Sequence, residues 1–184
     1  MADTGNIVDD IITDHREFLS VFSEIESGGD PHTQPDLVEH VIAGIVRHAV
    51  AEEQYLYPAA RKVLDNGDKL ADHELEEHAE AEEIMKKIEK AGADDPEYDE
   101  LVRKLIGEIR HHIEDEENDM LAELRDVCPP EELHELSEKF QRAKSMAPTR
   151  PHPLAPDHPP ANKLMAPGAG LVDRLRDALS GRNA

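Results

Sequence analysis

Between residues 6 and 26 the apolar positions Val8, Ile11, Ile12, Phe18, Leu19, Phe22 and Ile25 recur at intervals of three and four, the periodicity of a helix with one buried face. His15 lies inside that stripe, with Ile11, Ile12, Phe18 and Leu19 at offsets of three and four, so its imidazole is expected to face the core. A turn-rich stretch at 27–35 leads to a second helix over about 36–64, whose inward face reads Leu37, Val41, Ile45, His48, Glu52, Tyr55 and Ala59. A third helix over about 69–91 carries Ala71, Leu75, His78 and Met85 on one side. Past the turn at 92–96, a fourth runs to about 127 and turns Leu105, Ile109, His112, Ile113, Glu116 and Met120 inward. Cys128, Pro129 and Pro130 end it, and 131–144 reads as a short fifth helix resting on Leu133, Leu136 and Phe140. The fold class is all-α, and four long helices joined by short loops predict an up-down-up-down four-helix bundle.

Two pairs stand out on the inward faces. His48 and Glu52, like His112 and Glu116, are four residues apart, so each pair aims a ring nitrogen and a carboxylate oxygen from one side of its helix. In an antiparallel pair of helices, reflection through the centre of the loop matches residues at the same depth. His15 reflected through residues 31 and 32 lands on His48, and the reflections from the second and fourth helices average close to His78. His15, His48, Glu52, His78, His112 and Glu116 are therefore expected to meet at one level as metal ligands. Burying such a set without a cation would leave charges unpaired at several kcal/mol each. A mixed nitrogen and carboxylate donor set from all four helices suits two iron or manganese ions bridged by carboxylates.

Tyr55, seven residues beyond His48, returns to the same face and is expected to hydrogen-bond near the metal, whereas Tyr57 falls on the opposite side as packing. His73 is turned about 140° from His78 and is kept only as an outlying candidate. His111 falls on the polar side with Asp115. Glu53, Asp115 and Glu117 are expected to point outward, and Glu76 and Glu77 to be a solvated face.

Composition narrows the function. The formal charge is −22, from 42 acidic and 20 basic residues, which repels nucleic acid and acidic membrane surfaces. Cys128 is the sole cysteine, so there is no intrachain disulfide and no thiolate cluster. No apolar run approaches a membrane span, and the N-terminus lacks the pattern of a signal peptide, so a cytoplasmic location is expected. Pro148, Pro151, Pro153, Pro156, Pro159, Pro160 and Pro167 mark a proline-rich, strap-like tail. The expected division is a bundle over 1–146 and a tail over 147–184, with Leu171, Val172, Leu175 and Leu179 forming one short amphipathic helix at its end.

On His15, the run His48-Ala-Val-Ala-Glu52-Glu-Gln-Tyr-Leu-Tyr-Pro58, Glu77-His78 and His112-Ile-Glu-Asp-Glu116-Glu117, the chain resembles the hemerythrin family in its bacterial HHE cation-binding branch, over roughly residues 5–145. The resemblance implies a di-iron cofactor, two iron ions with oxo, hydroxo or carboxylate bridges. Oxygen-carrying members place two histidines four apart on the third helix, whereas here the positions four before and after His78 are Glu74 and Glu82. A carboxylate or an open position there favours the ferric state and access of peroxide or nitric oxide over simple oxygen carriage. The expected role is binding or reduction of a small oxidant, O2, H2O2 or NO, by the metal. The alternative is an iron or oxygen sensor, or an iron store, read by a protein partner through the tail.

Overall fold

The computed structural model describes residues 5–28 and 34–151. Helix α1 spans Ile7–Glu26, α2 Gln34–Ala51, α3 Tyr57–Val63, α4 Gly67–Ala91, α5 Tyr98–Asn118, α6 Met120–Val127 and α7 Pro130–Met146. The described residues are helices and their connections. Asn6 opens α1, its side chain accepting from the Asp9 backbone N–H at 3.0 Å, with Asp9 and Asp10 at the positive end of the helix dipole. Pro130 sits in the first turn of α7 followed by Glu131 and Glu132, positions where a missing N–H costs nothing and negative charge is favoured.

The helix expected over 36–64 is one rod with a defect in it. Between α2 and α3, Glu52–Leu56 forms a π-helical turn, in which the Tyr57 N–H reaches back five residues to the Glu52 carbonyl. Pro58 explains the fault: it has no N–H for the Gln54 carbonyl, and its ring would crowd that oxygen in a regular α-helix. The fourth rod is also broken, at Asp119, where φ −102° and ψ −75° separate α5 from α6. At the α3–α4 corner, a Cβ on Gly67 would lie 2.2 Å from the Ala60 carbonyl oxygen, so only glycine allows that close approach.

Two apolar clusters result. One gathers Phe18, Phe22, Ile25, Val41, Ile45, Ile84, Ile88, Leu105 and Ile109. The other gathers Ile7, Ile11, Leu56, Tyr57, Met120, Leu121, Leu124, Leu133 and Phe140. The polar layer lies between them: the His48 ring meets Phe18 of the first cluster edge-on at 5.3 Å and Phe140 of the second at 5.7 Å.

Helix α7 is longer than its sequence pattern suggests. It packs on α1 and α2 and buries Phe140 completely. The first tail residues continue onto the bundle, with Ala147 and Thr149 buried and Arg150 Nη1 3.7 Å from Glu89 Oε1 on α4. The rest of the expected strap, and the amphipathic helix beyond residue 170, lie outside the described residues. Among the described residues no helix is long and apolar enough to cross a membrane. Phe140→Ala is expected to cost about 3–5 kcal/mol in chemical denaturation; a loss below about 1 kcal/mol would show that α7 is not part of the core.

Candidate metal centre

The six residues singled out in the sequence converge in the middle of the bundle. His15 comes from α1, His48 from the last turn of α2, Glu52 from the π-helical turn, His78 from α4, and His112 and Glu116 from α5. His15 Nε2 and His48 Nε2 are 3.2 Å apart, and His78 Nε2 and His112 Nε2 are 3.3 Å apart. Glu52 lies between these imidazole pairs, with Oε1 2.8 Å from His48 Nε2 and Oε2 3.4 Å from His78 Nε2. Glu116 Oε2 is 3.6 Å from His15 Nε2. Donor atoms of His15, His48, Glu52 and Glu116 form one group that could hold an ion, and those of Glu52, His78 and His112 a second. Glu74, fully buried on α4, joins His112 and Glu116 in a further overlapping group.

The other side of every ring is taken. His15 Nδ1 donates to Glu117 at 2.9 Å, His48 Nδ1 to Asp14 at 2.8 Å, His78 Nδ1 to Glu53 at 3.0 Å and His112 Nδ1 to Glu77 at 3.1 Å, with a Glu74 oxygen 2.9 Å away. Carboxylates behind the rings fix the tautomer that turns each Nε2 lone pair inward and make it more basic. Asp14 is held in turn by Lys144 of α7 at 2.6 and 2.5 Å, and Glu117 by both guanidinium nitrogens of Arg16.

Whether these residues fit a metal is decided by the carboxylates. Both oxygens of Glu52 and of Glu116 are buried and accept no hydrogen bond. Two Nε2 lone pairs facing each other, twice, beside two such carboxylates form a donor set that calls for cations.

The electrostatics of the bare ligands agree. Burial alone would depress the His78 pKa, but Glu52 and Glu53 override it and push it up to about 10. His112 likewise goes against burial to about 10, through Glu74 and Glu77. Glu52 is held well below the carboxylate range, the charges of His48 and His78 overcoming its burial. Burial, and then the charge on Glu52, drive Glu116 well above that range. Without a metal, protons occupy the places of cations.

Beside the histidine layer is an apolar cavity lined by Phe18, Ile45, Ala81, Met85 and Ile109 as well as the four histidines. Its volume is about 20 Å³, by the measure in which one water needs roughly 10–15 Å³. That is room for one or two water-sized molecules.

The model of the hemerythrin HHE cation-binding domain matches residues 6–124. The chain belongs to the hemerythrin HHE cation-binding family. An uncharacterised hemerythrin-like protein of Schizosaccharomyces pombe is 29% identical over 174 residues, 94% of this chain and 86% of the yeast protein. A DNA nickase of Nostoc sp. is 28% identical over 140 residues, which are 76% of this chain but only 39% of the cyanobacterial protein. No solved structure matches the chain.

Several residues of this hemerythrin-like site differ from their expected places. Tyr57, expected on the far face, is fully buried with its hydroxyl 3.0 Å from His78 Nε2. The extra residue in the π-helical turn shifts the helix by about 100°, and Tyr55 lies partly buried against the second apolar cluster. Glu53, Glu77 and Glu117, expected in solvent, are partly buried behind His78, His112 and His15. Their signal was present: a ligating imidazole needs an Nδ1 acceptor, and a second carboxylate directly follows both Glu52 and Glu116. Asp14 and Lys144 carried no such signal, being 34 and 130 residues from their partners.

Filling the site with divalent metal at pH 7 is expected to release about two protons or more per chain, because His78 and His112 must give up theirs. Calorimetric titration in buffers of different ionisation enthalpy measures this directly, and no release would contradict it. The same shifts set the pH dependence of the metal-free fold. Both folded-state values, about 10, lie above the ordinary 6.5. Their contribution to stability is thus full below pH 6.5 and lost as pH rises through 10.

Proposed function

We propose that this hemerythrin-like chain is a non-haem di-iron protein that binds or reduces a small oxidant, with O2, peroxide or nitric oxide as the ligand class. The observation that carries this reading is the sharing of Glu52 by two buried donor groups, the arrangement that a carboxylate bridge between two ions requires. His15 and His48 would hold one iron, His78 and His112 the other, and Glu52 and Glu116 would span both. Glu74 would add a carboxylate to the second position. Manganese is the less favoured ion, because imidazole donors suit iron whereas manganese prefers carboxylate and water oxygens. The short connections between the long helices, and the meeting of His15 with His48, support the up-down-up-down order, with the bundle over 1–146 and the tail beyond it.

Bound iron would supply the electrons and the site of attachment for the oxidant. The chain's own part is to hold, orient and exclude. The carboxylates behind the rings keep each imidazole aimed inward. The apolar cavity admits a molecule of diatomic size and leaves little room for bulk water. Tyr57 places an O–H at the His78 end of the centre, where it can donate to an anionic ligand. Its phenol is raised well above its usual range by burial and then by the Glu52 charge, so it keeps that proton at any physiological pH.

The nickase name among the relatives is not carried over, since a charge of −22 works against close approach to a polyanion. The same charge argues against nucleic acid and acidic membrane surfaces as partners. A second reading, a sensor or store, draws on one contact: Lys144, near the end of the helix that leads into the tail, reaches ligand His48 through Asp14.

Protein purified aerobically from iron-replete cells is expected to carry about two irons per chain, with the near-ultraviolet absorption of a bridged ferric pair. Added peroxide should be consumed over many equivalents per chain. A stoichiometric bleaching without turnover, together with a tail whose protease sensitivity tracks iron loading, would favour the sensor. A colourless protein with one zinc or no metal would contradict the di-iron reading.

A further inference from the structure

The histidine and carboxylate spacing of the buried pairs occurs again on the exposed sides of α4 and α5. His73 and Glu77 on α4, and His111 and Asp115 on α5, are again histidine and carboxylate four residues apart. The two pairs face each other at the surface. His73 Nε2 is 3.6 Å from Glu77 Oε1 and 3.6 Å from Asp115 Oδ2. His111 Nε2 is 3.8 Å from Glu77 Oε1, and its Nδ1 is 3.5 Å from Asp115 Oδ1. Hydrogen bonds between such atoms close to roughly 2.7–3.2 Å. Ligands bonded at 2.0–2.2 Å to one tetrahedral ion stand roughly 3.3–3.6 Å from one another, which is nearer to what is seen. Donor atoms of His73, Glu77 and Asp115 converge closely enough to hold an ion.

Glu77 ties this cluster to the interior. Its Oε1 faces the surface histidines while its Oε2 accepts from His112 Nδ1. Burial deepens step by step along the carboxylates: Asp115 is 33% exposed, Glu77 16%, Glu74 1% and Glu116 0%. Glu74 and Glu77 are three residues apart on one helix face, and both lie against the same His112 nitrogen. The strongly negative chain concentrates cations at its surface, and His73 and His111 add nitrogen donors that favour a transition metal over calcium or magnesium.

We propose that His73, Glu77 and Asp115, with His111 beside them, form a surface site for a divalent transition-metal ion, from which metal passes inward by way of Glu77 and Glu74 to the buried centre. The site stands on its own geometry, whereas the passage rests on the proposed iron centre.

The test uses protein whose buried centre is already filled with iron. Titrated with Co2+ and followed by its visible d–d absorption, the wild type is expected to bind one further cobalt per chain. The double variant His73→Ala/His111→Ala should bind it at least 10-fold more weakly, with unchanged iron content and helicity. Absence of the extra cobalt in the wild type, or equal binding by the variant, would overturn the site. Iron uptake by metal-stripped protein, followed by stopped flow, should be several-fold slower in the variant with the same end point; an unchanged rate would overturn the passage. If the buried centre takes no iron at all, the proposed function fails, and the difference in cobalt binding between wild type and variant still decides the surface site.

Discussion

Glu52 and Glu116 are removed from water completely, and none of their four oxygens accepts a hydrogen bond. An ionised carboxylate in such a place costs several kcal/mol unless cations stand beside it, so the middle of the bundle is stable only with positive charge supplied there. Protons on His78 and His112 meet that need partly in the bare chain; metal ions meet it with fixed geometry. The rest of the molecule is arranged to deliver ligands to this layer. The two apolar clusters on either side set the depth of α1, α2, α4 and α5, and the π-helical turn sets the direction in which the side chains after Glu52 point.

The two halves of the centre differ in the charge behind them. Asp14 and Glu117, which hold His48 and His15, are each bound to a fixed cation, Lys144 and Arg16. Glu53, Glu74 and Glu77, behind His78 and His112, meet only histidines in the ion pairs of the described residues. The His78 and His112 half therefore has the more anionic surroundings, with the Tyr57 hydroxyl on the same side. A harder, more negative environment stabilises the higher oxidation state of a bound transition metal. The two halves of the donor cluster are unequal in the charge behind them.

The helices and the depth of the histidines were legible because both arise from periodicity: burial every three or four residues fixes a face, and short loops fix which residues meet. His15 and His48 found each other by that rule alone. What periodicity misses is a change of period. One inserted residue before Pro58 moved Tyr57 from the outside to the centre and displaced Tyr55, although the proline itself was visible. The carboxylates behind the rings were misplaced for a different reason. Glu53, Glu77 and Glu117 sit at the edge of the buried faces, where a wheel assigns solvent but a long side chain can fold back toward a buried nitrogen. Lys144 depends on how α7 packs across α1, a tertiary fact with no local trace.

The most direct test of the account is a crystal of the aerobically purified protein measured on both sides of the iron absorption edge. Two anomalous peaks about 3.5–4 Å apart, one touching His15 and His48 and the other His78 and His112, with Glu52 reaching both, are what the buried donor set predicts. A single peak, or density confined to the surface histidines with Glu52 unligated, would contradict it.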